Sequence, residues 1–481
     1  MRKLLLWFRS HPSLSLLGLV IALSAGLHFF FQWRTERRWE RYCTEARARG
    51  VKLDLVEWTP PPIPDDQNFA MIPVLKEAFA EGGKHPLELP GEKLSFGSAV
   101  KGERMNWLTW QAYFKAQGFI AEATDDPVRD CLRALDRFAP QFQQWSEWRT
   151  RPKSQFPLDL KLGSSLPLPH LTTFQHASRL FSLRMRAHLA LGDSAAAYDD
   201  FRDGLQAYLA LQNEPTTIDG LVRISVMAVL IHAVGCGLQD QAWAEADLRK
   251  IERDIAAIRI WADYRHTMEC EHAFCNGIAE NLIRASLGAR LQVVKDLEMM
   301  GPGYAAAFVV LLLPDWVLRE NQLRLNRYYD EAVARVDLPG EHIDQDRPMP
   351  SSPGQLKGVM ENRYFFLVRS LISVSESVEQ KYFIFDARMS MLRIACALEE
   401  FRQQKGSFPA ALEELPPAFL SALPIDPYNH APFHYQRATA GTFQLYSVGA
   451  NRLDDHGVVD PSRSDAKQDD EIWLYSPAAT R

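Results

Sequence analysis

The sequence lacks the short motifs that mark the common catalytic folds. It contains no P-loop, no glycine fingerprint for dinucleotides, no zincin helix and no nucleophile elbow. It also lacks an excess of positive charge, because 54 Lys and Arg stand against 60 Asp and Glu, for a formal net charge of -6. Proteins that hold nucleic acid phosphates need a basic surface. Nucleic acid is therefore not an expected partner. The lack of catalytic motifs favours a non-enzymatic protein.

Paired cysteine spacings are also missing. A repeated C-x-x-C pattern would indicate a zinc ribbon, and many closely spaced cysteines would indicate a disulfide framework. The sequence therefore indicates neither a zinc ribbon nor a disulfide framework. Cys270 and Cys275 are the closest pair, but on a helix they would lie about 140° apart around the axis, which disfavours a disulfide. The six cysteines are Cys43, Cys131, Cys236, Cys270, Cys275 and Cys396.

The bulk composition is that of a folded protein. Hydrophobic residues make up 47% and charged residues 24% of the chain, which is typical of globular and not of disordered proteins. At 481 residues the chain is too long for one ordinary core, so we expect roughly two to four domains.

An apolar run near the N-terminus is long enough to cross a bilayer. From Ser13 to Trp33 no residue carries a formal charge if His28 is neutral, and about 20 apolar residues span the hydrocarbon core. Arginines flank the run on both sides, as interfacial anchors do. A cleaved signal is the alternative, but the run is long for one and no A-x-A-like site follows. We therefore predict a transmembrane helix that contacts the lipid bilayer through residues 13–33.

Two features of the sequence predict opposite orientations for this helix. Arg34, Arg37, Arg38 and Arg41 follow the run, and the positive-inside rule would place them, and the body, in the cytoplasm. The C-terminal resemblance described below favours the opposite side. A second apolar run, from Tyr304 to Pro314, is too short to cross a bilayer and predicts a buried core helix or a membrane-surface contact.

The body reads as mainly α-helical. Asp126 and Pro127 predict the cap and first turn of a helix. Apolar residues recur at helical spacing from Leu171 to Gly237, interrupted at Leu191-Gly192-Asp193, which predicts a helical hairpin. The hairpin has the small residues of one tetratricopeptide-type unit, but no second copy is found, so an ordinary hairpin is favoured. A long helix is predicted from Gly358 to Gln404.

Three motifs follow one another in the C-terminal segment: Lys405-Gly406-Ser407-Phe408-Pro409 after a predicted helix, a short predicted helix from Ala411 to Leu415, and Leu423-Pro424-Ile425-Asp426-Pro427-Tyr428 before a predicted sheet. With these motifs the segment resembles the globular domain of the major (G-type) pseudopilin of bacterial type II secretion. This resemblance implies an α+β domain over residues 405–481 with an antiparallel sheet. The resemblance implies strands at about Pro432–Arg437, Thr442–Val448 and Glu471–Tyr475, and apolar residues alternate in the first two.

The same resemblance implies a calcium site. In that family the loop between the last two strands binds calcium, and here the matching positions fall on Asn451, Asp469 and either Asp470 or Glu471. Oxygen ligands from a flexible loop suit Ca²⁺. The alternative is that these residues only solvate a long acidic loop.

One family feature is missing. Pseudopilins begin with a short leader and a Gly-Phe-Thr-Leu-Ile-Glu-like stretch, and Met1–Ser13 contains neither. Assembly into a pseudopilus by the usual route is therefore not expected. The whole chain also resembles uncharacterised membrane proteins of planctomycete-type bacteria, which supplies an architecture without an activity.

One cluster of potential metal ligands lies on a predicted helix. His266 and Cys270 share one face, and His272 and Cys275 share another. Two faces of one helix cannot close on one ion without further ligands, so packing roles are favoured over a metal site.

Three functional hypotheses follow. The leading one is a membrane-anchored, non-enzymatic envelope protein of the inner membrane, with a periplasmic body that binds a protein partner. The alternatives are a membrane-bound metalloenzyme that uses the His266 to Cys275 cluster, and a pseudopilus subunit. The predicted units are a tail (1–12), a transmembrane helix (13–33), a linker with a Pro-rich spacer (34–103), an α-helical domain (104–357), a long helix (358–404) and the pseudopilin-like domain (405–481).

Overall fold

The computed structural model describes residues 12–80, 86–91, 104–286, 288–291, 313–344, 347, 366–439, 441–457 and 472–475. Helices dominate, as the sequence predicts, and small antiparallel sheets accompany them. The α-helices are α1 (Pro12–Ala48), α2 (Pro73–Lys76), α3 (Trp107–Ala116), α4 (Pro127–Leu135), α5 (Ala139–Trp148), α6 (Pro169–Ala190), α7 (Ser194–Ala210), α8 (Thr217–Gln239), α9 (Glu245–Ala256), α10 (Ile260–Arg284), α11 (Asp315–Val333) and α12 (Phe366–Lys405). The strands are β1 (Val336–Asp337), β2 (His342–Ile343), β3 (His434–Thr439), β4 (Thr442–Tyr446) and β5 (Ile472–Tyr475).

Helix α1 has two halves with opposite surroundings. Every residue from Leu16 to Phe30 is exposed, whereas Thr35, Tyr42 and Ala46 are buried. The apolar half has a mean hydropathy of 1.7 and none of it is buried. By length and composition it fits a membrane span, and also a signal helix. The helix continues past Trp33, where the hydropathy boundary lies, because its second half packs on the body.

The second half of α1 runs parallel to α11. The Phe31 ring stacks on Trp316, with ring centroids 4.9 Å apart. Further along, Arg38 pairs with Glu320 at 2.6 Å, and the Arg319 guanidinium lies over the Trp39 ring. Since these contacts follow one another along both helices, they fix α1 against the body in one register.

Helix α1 ends at a glycine with a left-handed backbone conformation. Gly50 has φ +81°, and the Val51 amide donates to the Ala46 carbonyl, as in a common helix C-terminal motif. The chain then turns back over the body as a short strap, which we define as Arg49–Asp54. A 3₁₀ turn (Leu55–Trp58) follows, and the Asp54 side chain caps it.

The predicted helical hairpin is confirmed by α6 and α7. Gly192 takes φ +80° in the turn, and the Asp193 carboxylate caps α7 by accepting from the Ala196 amide. The predicted start of α4 is also confirmed, with Asp126 as its cap and Pro127 in its first turn.

Helix α8 is the second helix apolar enough to cross a membrane by composition. Its mean hydropathy is 2.0, but 61% of it is buried inside the protein. It carries Arg223, only 2% exposed, whose guanidinium pairs with the equally buried Asp263 of α10 at 2.9 Å. The Tyr208 hydroxyl donates to the same carboxylate. Helix α8 is therefore packed as the core helix of the body.

Helix α12 is one unbroken element of 40 residues, and it joins the helical body to the C-terminal segment. The first residues of the predicted long helix, 358–365, lie outside the described residues. A continuous hydrophobic cluster extends from Phe69 through the helices to Val448. The C-terminal segment therefore shares a core with the helical body.

The C-terminal segment contains an antiparallel sheet, as predicted. Strand β4 lies between β3 and β5, with Tyr435 opposite Leu445 and Leu445 opposite Trp473. The buried Asp426 carboxylate ties the preceding loop to this sheet, since it accepts from the amides of Tyr428 and Val448. A two-stranded hairpin, β1 and β2, follows α11.

Candidate functional site: a charged cleft beside the strap

An open cavity lies where the strap crosses α10 and α11. It is an open cleft of about 530 Å³, within the range of small-ligand pockets. Its sides come from the strap, the 3₁₀ turn, both helices and the residues that follow α11. The lining residues are Arg49, Gly50, Val51, Lys52, Trp58, Arg265, Glu269, His272, Tyr329, Asp330, Val333, Ala334 and Val336.

A chain of side-chain amides holds the strap on the two helices. Asn276 of α10 donates to the Leu53 carbonyl at 2.8 Å, which turns its own Oδ1 toward α11. That oxygen accepts from Asn326 and from Gln322, each at 2.9 Å. Because all these groups are buried and paired, they fix the position of the strap and hence one side of the cleft.

The same amides fix the tautomer of His272. The Asn326 Nδ2 donates to the Gln322 carbonyl, so its Oδ1 is the atom 2.8 Å from His272 Nε2. An amide oxygen can only accept, and His272 must therefore carry its proton on Nε2. Burial lowers the pKa of this imidazole. At neutral pH the His272 ring is neutral, with Nδ1 as its acceptor atom.

The cleft has more cations than anions. Arg49 pairs with Asp330 at 2.6 Å, and Arg265 pairs with Glu269 at 2.8 Å. Lys52 has no carboxylate partner among the described residues, and its Nζ instead lies 3.9 Å from the centroid of the Trp58 ring.

Trp58 adds an unused donor to the same side. Its indole Nε1 is buried and lacks a hydrogen-bond partner within the described part of the chain. Leaving a buried donor unpaired costs free energy. Unpaired donors and surplus positive charge therefore coincide beside the strap.

The predicted cluster from His266 to Cys275 is divided among three environments. Cys270 contacts His266 at 3.7 Å, beside Trp58. On another face Cys275 contacts Glu271 and Tyr329, each at 3.4 Å. Burial raises the pKa of both thiols, which disfavours the thiolate form that binds metals.

No group of three or more His, Cys, Asp or Glu within the described ranges could hold a metal ion. The remaining members of the cluster, Glu269 and His272, line the cleft instead. The face of α10 that opens to solvent in the cleft is thus a charged one.

The predicted calcium ligands are only partly described. The Asn451 amide donates to Asp455 at 2.6 Å, and its Oδ1 accepts from the Leu453 amide. Asp469 and Glu471 lie outside the described residues. The geometry of the three positions together stays a prediction.

A buried acidic centre lies close to α8 and was not expected. Burial raises the pKa of Asp219 to about 7, and it raises the pKa of Glu214 well above its usual range. His170 Nε2 lies 3.9 Å from Asp219 Oδ1, too far for a hydrogen bond, and neither ring nitrogen has a partner among the described residues. All three groups are shut off from solvent, so they form part of the core and not of an open site.

Comparisons with protein-family models, with curated proteins and with solved structures find no match.

Proposed function

We propose that this chain is a single-pass membrane protein of the bacterial inner membrane whose periplasmic body is a binding scaffold and not an enzyme. The observation that carries this proposal is helix α1, which is exposed over its whole apolar half and then docks on the body without a break. A helix that is apolar all round and buried nowhere requires an apolar surrounding.

The residues beyond Phe30 support an anchor at the membrane surface. Trp33 is 60% exposed, and the Arg37 guanidinium lies over its ring. Arg34, Arg37 and Arg41 are exposed. Aromatic rings and arginines at the end of an apolar helix are typical of the interface between lipid and water.

The C-terminal segment supports the periplasmic side. A long helix, a short turn (Leu412–Glu414) and a three-stranded antiparallel sheet follow one another in the order that the pseudopilin resemblance implies. Domains of that kind lie outside the inner membrane. We therefore place the segment in the periplasm as a recognition module, with a relation to type II secretion and a calcium site at Asn451, Asp469 and Glu471 as parts of the proposal.

The cleft supports a binding role. Ala48, next to the cleft, lies 15 residues beyond Trp33, which corresponds to about 22 Å along a helix axis. A ligand in the cleft would be held in the aqueous compartment, well above the lipid headgroups.

The experiment is a pair of topology fusions. Alkaline phosphatase fused after Arg481 should be active, and a reporter that fluoresces only in the cytoplasm should be dark at the same position. The reverse pattern would overturn the periplasmic assignment and would favour the arginine signal.

A further inference from the structure

The charged groups of the cleft leave one positive charge unmatched. Arg49, Lys52 and Arg265 supply three cations, and Asp330 and Glu269 supply two carboxylates. His272 adds no charge because burial lowers its pKa. Each arginine already binds a carboxylate, and Lys52 is the remaining cation.

We propose that the cleft binds a ligand through one carboxylate group, which completes the pairing at Lys52. This inference rests on the proposed binding function and names the chemistry of the ligand. A carboxylate carries a single negative charge and matches the surplus, whereas a phosphate group of about two charges would exceed it.

The surroundings of Lys52 fit this assignment. Lys52 and Trp58 are both partly exposed, so an incoming group can reach the ammonium without opening the core. Val51, Val333 and Val336 provide apolar surface beside it, for the part of the ligand that bears the carboxylate. An acidic side chain of a partner protein and a small free acid share this chemistry.

Calorimetric titration of the detergent-solubilised full chain tests the proposal and separates the two sources. One arm uses the blocked peptide acetyl-Ala-Glu-Ala-amide, with acetyl-Ala-Gln-Ala-amide as its neutral match. The other arm uses benzoate, with benzamide as its match. At least one acid should bind more tightly than its amide, and the arm that binds identifies the source. Equal behaviour of acid and amide in both arms would overturn the proposal.

Two variants give effects of opposite sign. Lys52→Met keeps the apolar stem and removes the charge, so the acid should bind about three- to fivefold more weakly, as expected for a partly exposed pair. Glu269→Gln removes a competing carboxylate, and binding should become tighter, which misfolding cannot imitate.

Lys115→Met is the matched control, since Lys115 is exposed on α3, remote in sequence from the cleft lining. It should leave binding unchanged. Unaltered binding in Lys52→Met would overturn the inference. Neither negative result would affect the topology fusions, which test the anchor and its orientation separately.

Discussion

Helices α1 and α8 pass the same test of length and hydropathy, with mean values of 1.7 and 2.0, yet their surroundings are opposite. None of the apolar half of α1 is buried, while most of α8 is buried. The more apolar helix is thus the one inside the body. Charge placement separates them, because α8 carries Asp219 and Arg223 and α1 has no charged residue from Ser13 to Trp33. A core helix can pair such groups with its neighbours, whereas in lipid they would be costly.

Glycine packing gives the same contrast. A Cβ added at Gly18 or Gly26 of α1 would meet no atom within 4 Å, whereas one at Gly237 of α8 would lie 2.6 Å from the Leu189 side chain. Close neighbours therefore require a glycine at Gly220 and Gly237 of α8, but not at Gly18 and Gly26 of α1.

Removal of residues 1–30 should have the largest effect. This deletion keeps Phe31 and the docked half of α1, so the body should fold and move from the membrane to the soluble fraction. Fractionation with a carbonate wash measures this. Retention of the truncated chain in washed membranes would show that α8 or another segment also inserts, and the comparison would fail.

Arg223→Leu should be the most damaging point change in α8. It leaves the buried Asp263 carboxylate without its cation, and breaking a buried pair from one side costs about 3–5 kcal/mol. The free energy of unfolding in urea should fall by that amount. Arg41→Leu, at an exposed position of α1, is the control and should change it by less than about 0.5 kcal/mol. Similar losses in both variants would contradict the assigned environments.

Gly237→Ala should destabilise the body by about 1–3 kcal/mol, because the methyl group overpacks against Leu189 and Trp243. Helix propensity alone would predict a gain of about 1 kcal/mol. Gly26→Ala is the counterpart in α1 and should leave the urea midpoint of the body unchanged. A stabilised Gly237→Ala variant would mean that α8 is loosely packed.

The contribution of Asp219 to the stability of the body should fall as the pH rises from about 5 to about 7. Burial raises the folded-state pKa of Asp219 to about 7, above its unfolded value of about 3.9, so this contribution is complete below the unfolded value and is lost once the pH has passed 7. Burial lowers the pKa of His170 to about 3, so His170 acts in the opposite direction over the same range. A comparison with a variant that keeps His170 therefore isolates the effect of Asp219.

The stability advantage of the unchanged chain over Asp219→Asn should therefore shrink by about 2 kcal/mol over that range. Urea unfolding at several pH values measures it. A part of the slope should persist, because burial also raises the pKa of Asp386 to about 7. Parallel profiles for the variant and the unchanged chain would show that Asp219 ionises normally in the folded state.

Short sequence patterns predicted the caps, turns and strands that depend only on neighbouring residues. Asp126 and Pro127, Gly192 with Asp193, and the alternation around Tyr435 and Leu445 each specify a structure within a few residues, and the corresponding cap, turn and strands are confirmed.

The cleft could not be predicted in this way. Its sides come from the strap, from Arg265 and Glu269 on α10 and from Asp330 on α11, which only the tertiary fold brings together. Hydropathy placed the end of the membrane span at Trp33, but it did not indicate that the sequence after Trp33 docks on the body, because the buried stripe of Thr35, Tyr42 and Ala46 has few apolar residues. The sequence did contain one signal for the turn beside the cleft, which is the capping pattern of Asp54 and Glu57. The prolines after Trp58 had suggested only a spacer.

The strap has a mechanical consequence. Since it follows α1 directly through Gly50, it moves with that helix, and a sliding of α1 by one residue would displace Arg49 and Lys52 by about 1.5 Å. Tension on the membrane segment would load the Arg38 to Glu320 and Arg49 to Asp330 pairs in shear before it reached the body. A pull on the apolar half of α1 would therefore change the width of the cleft.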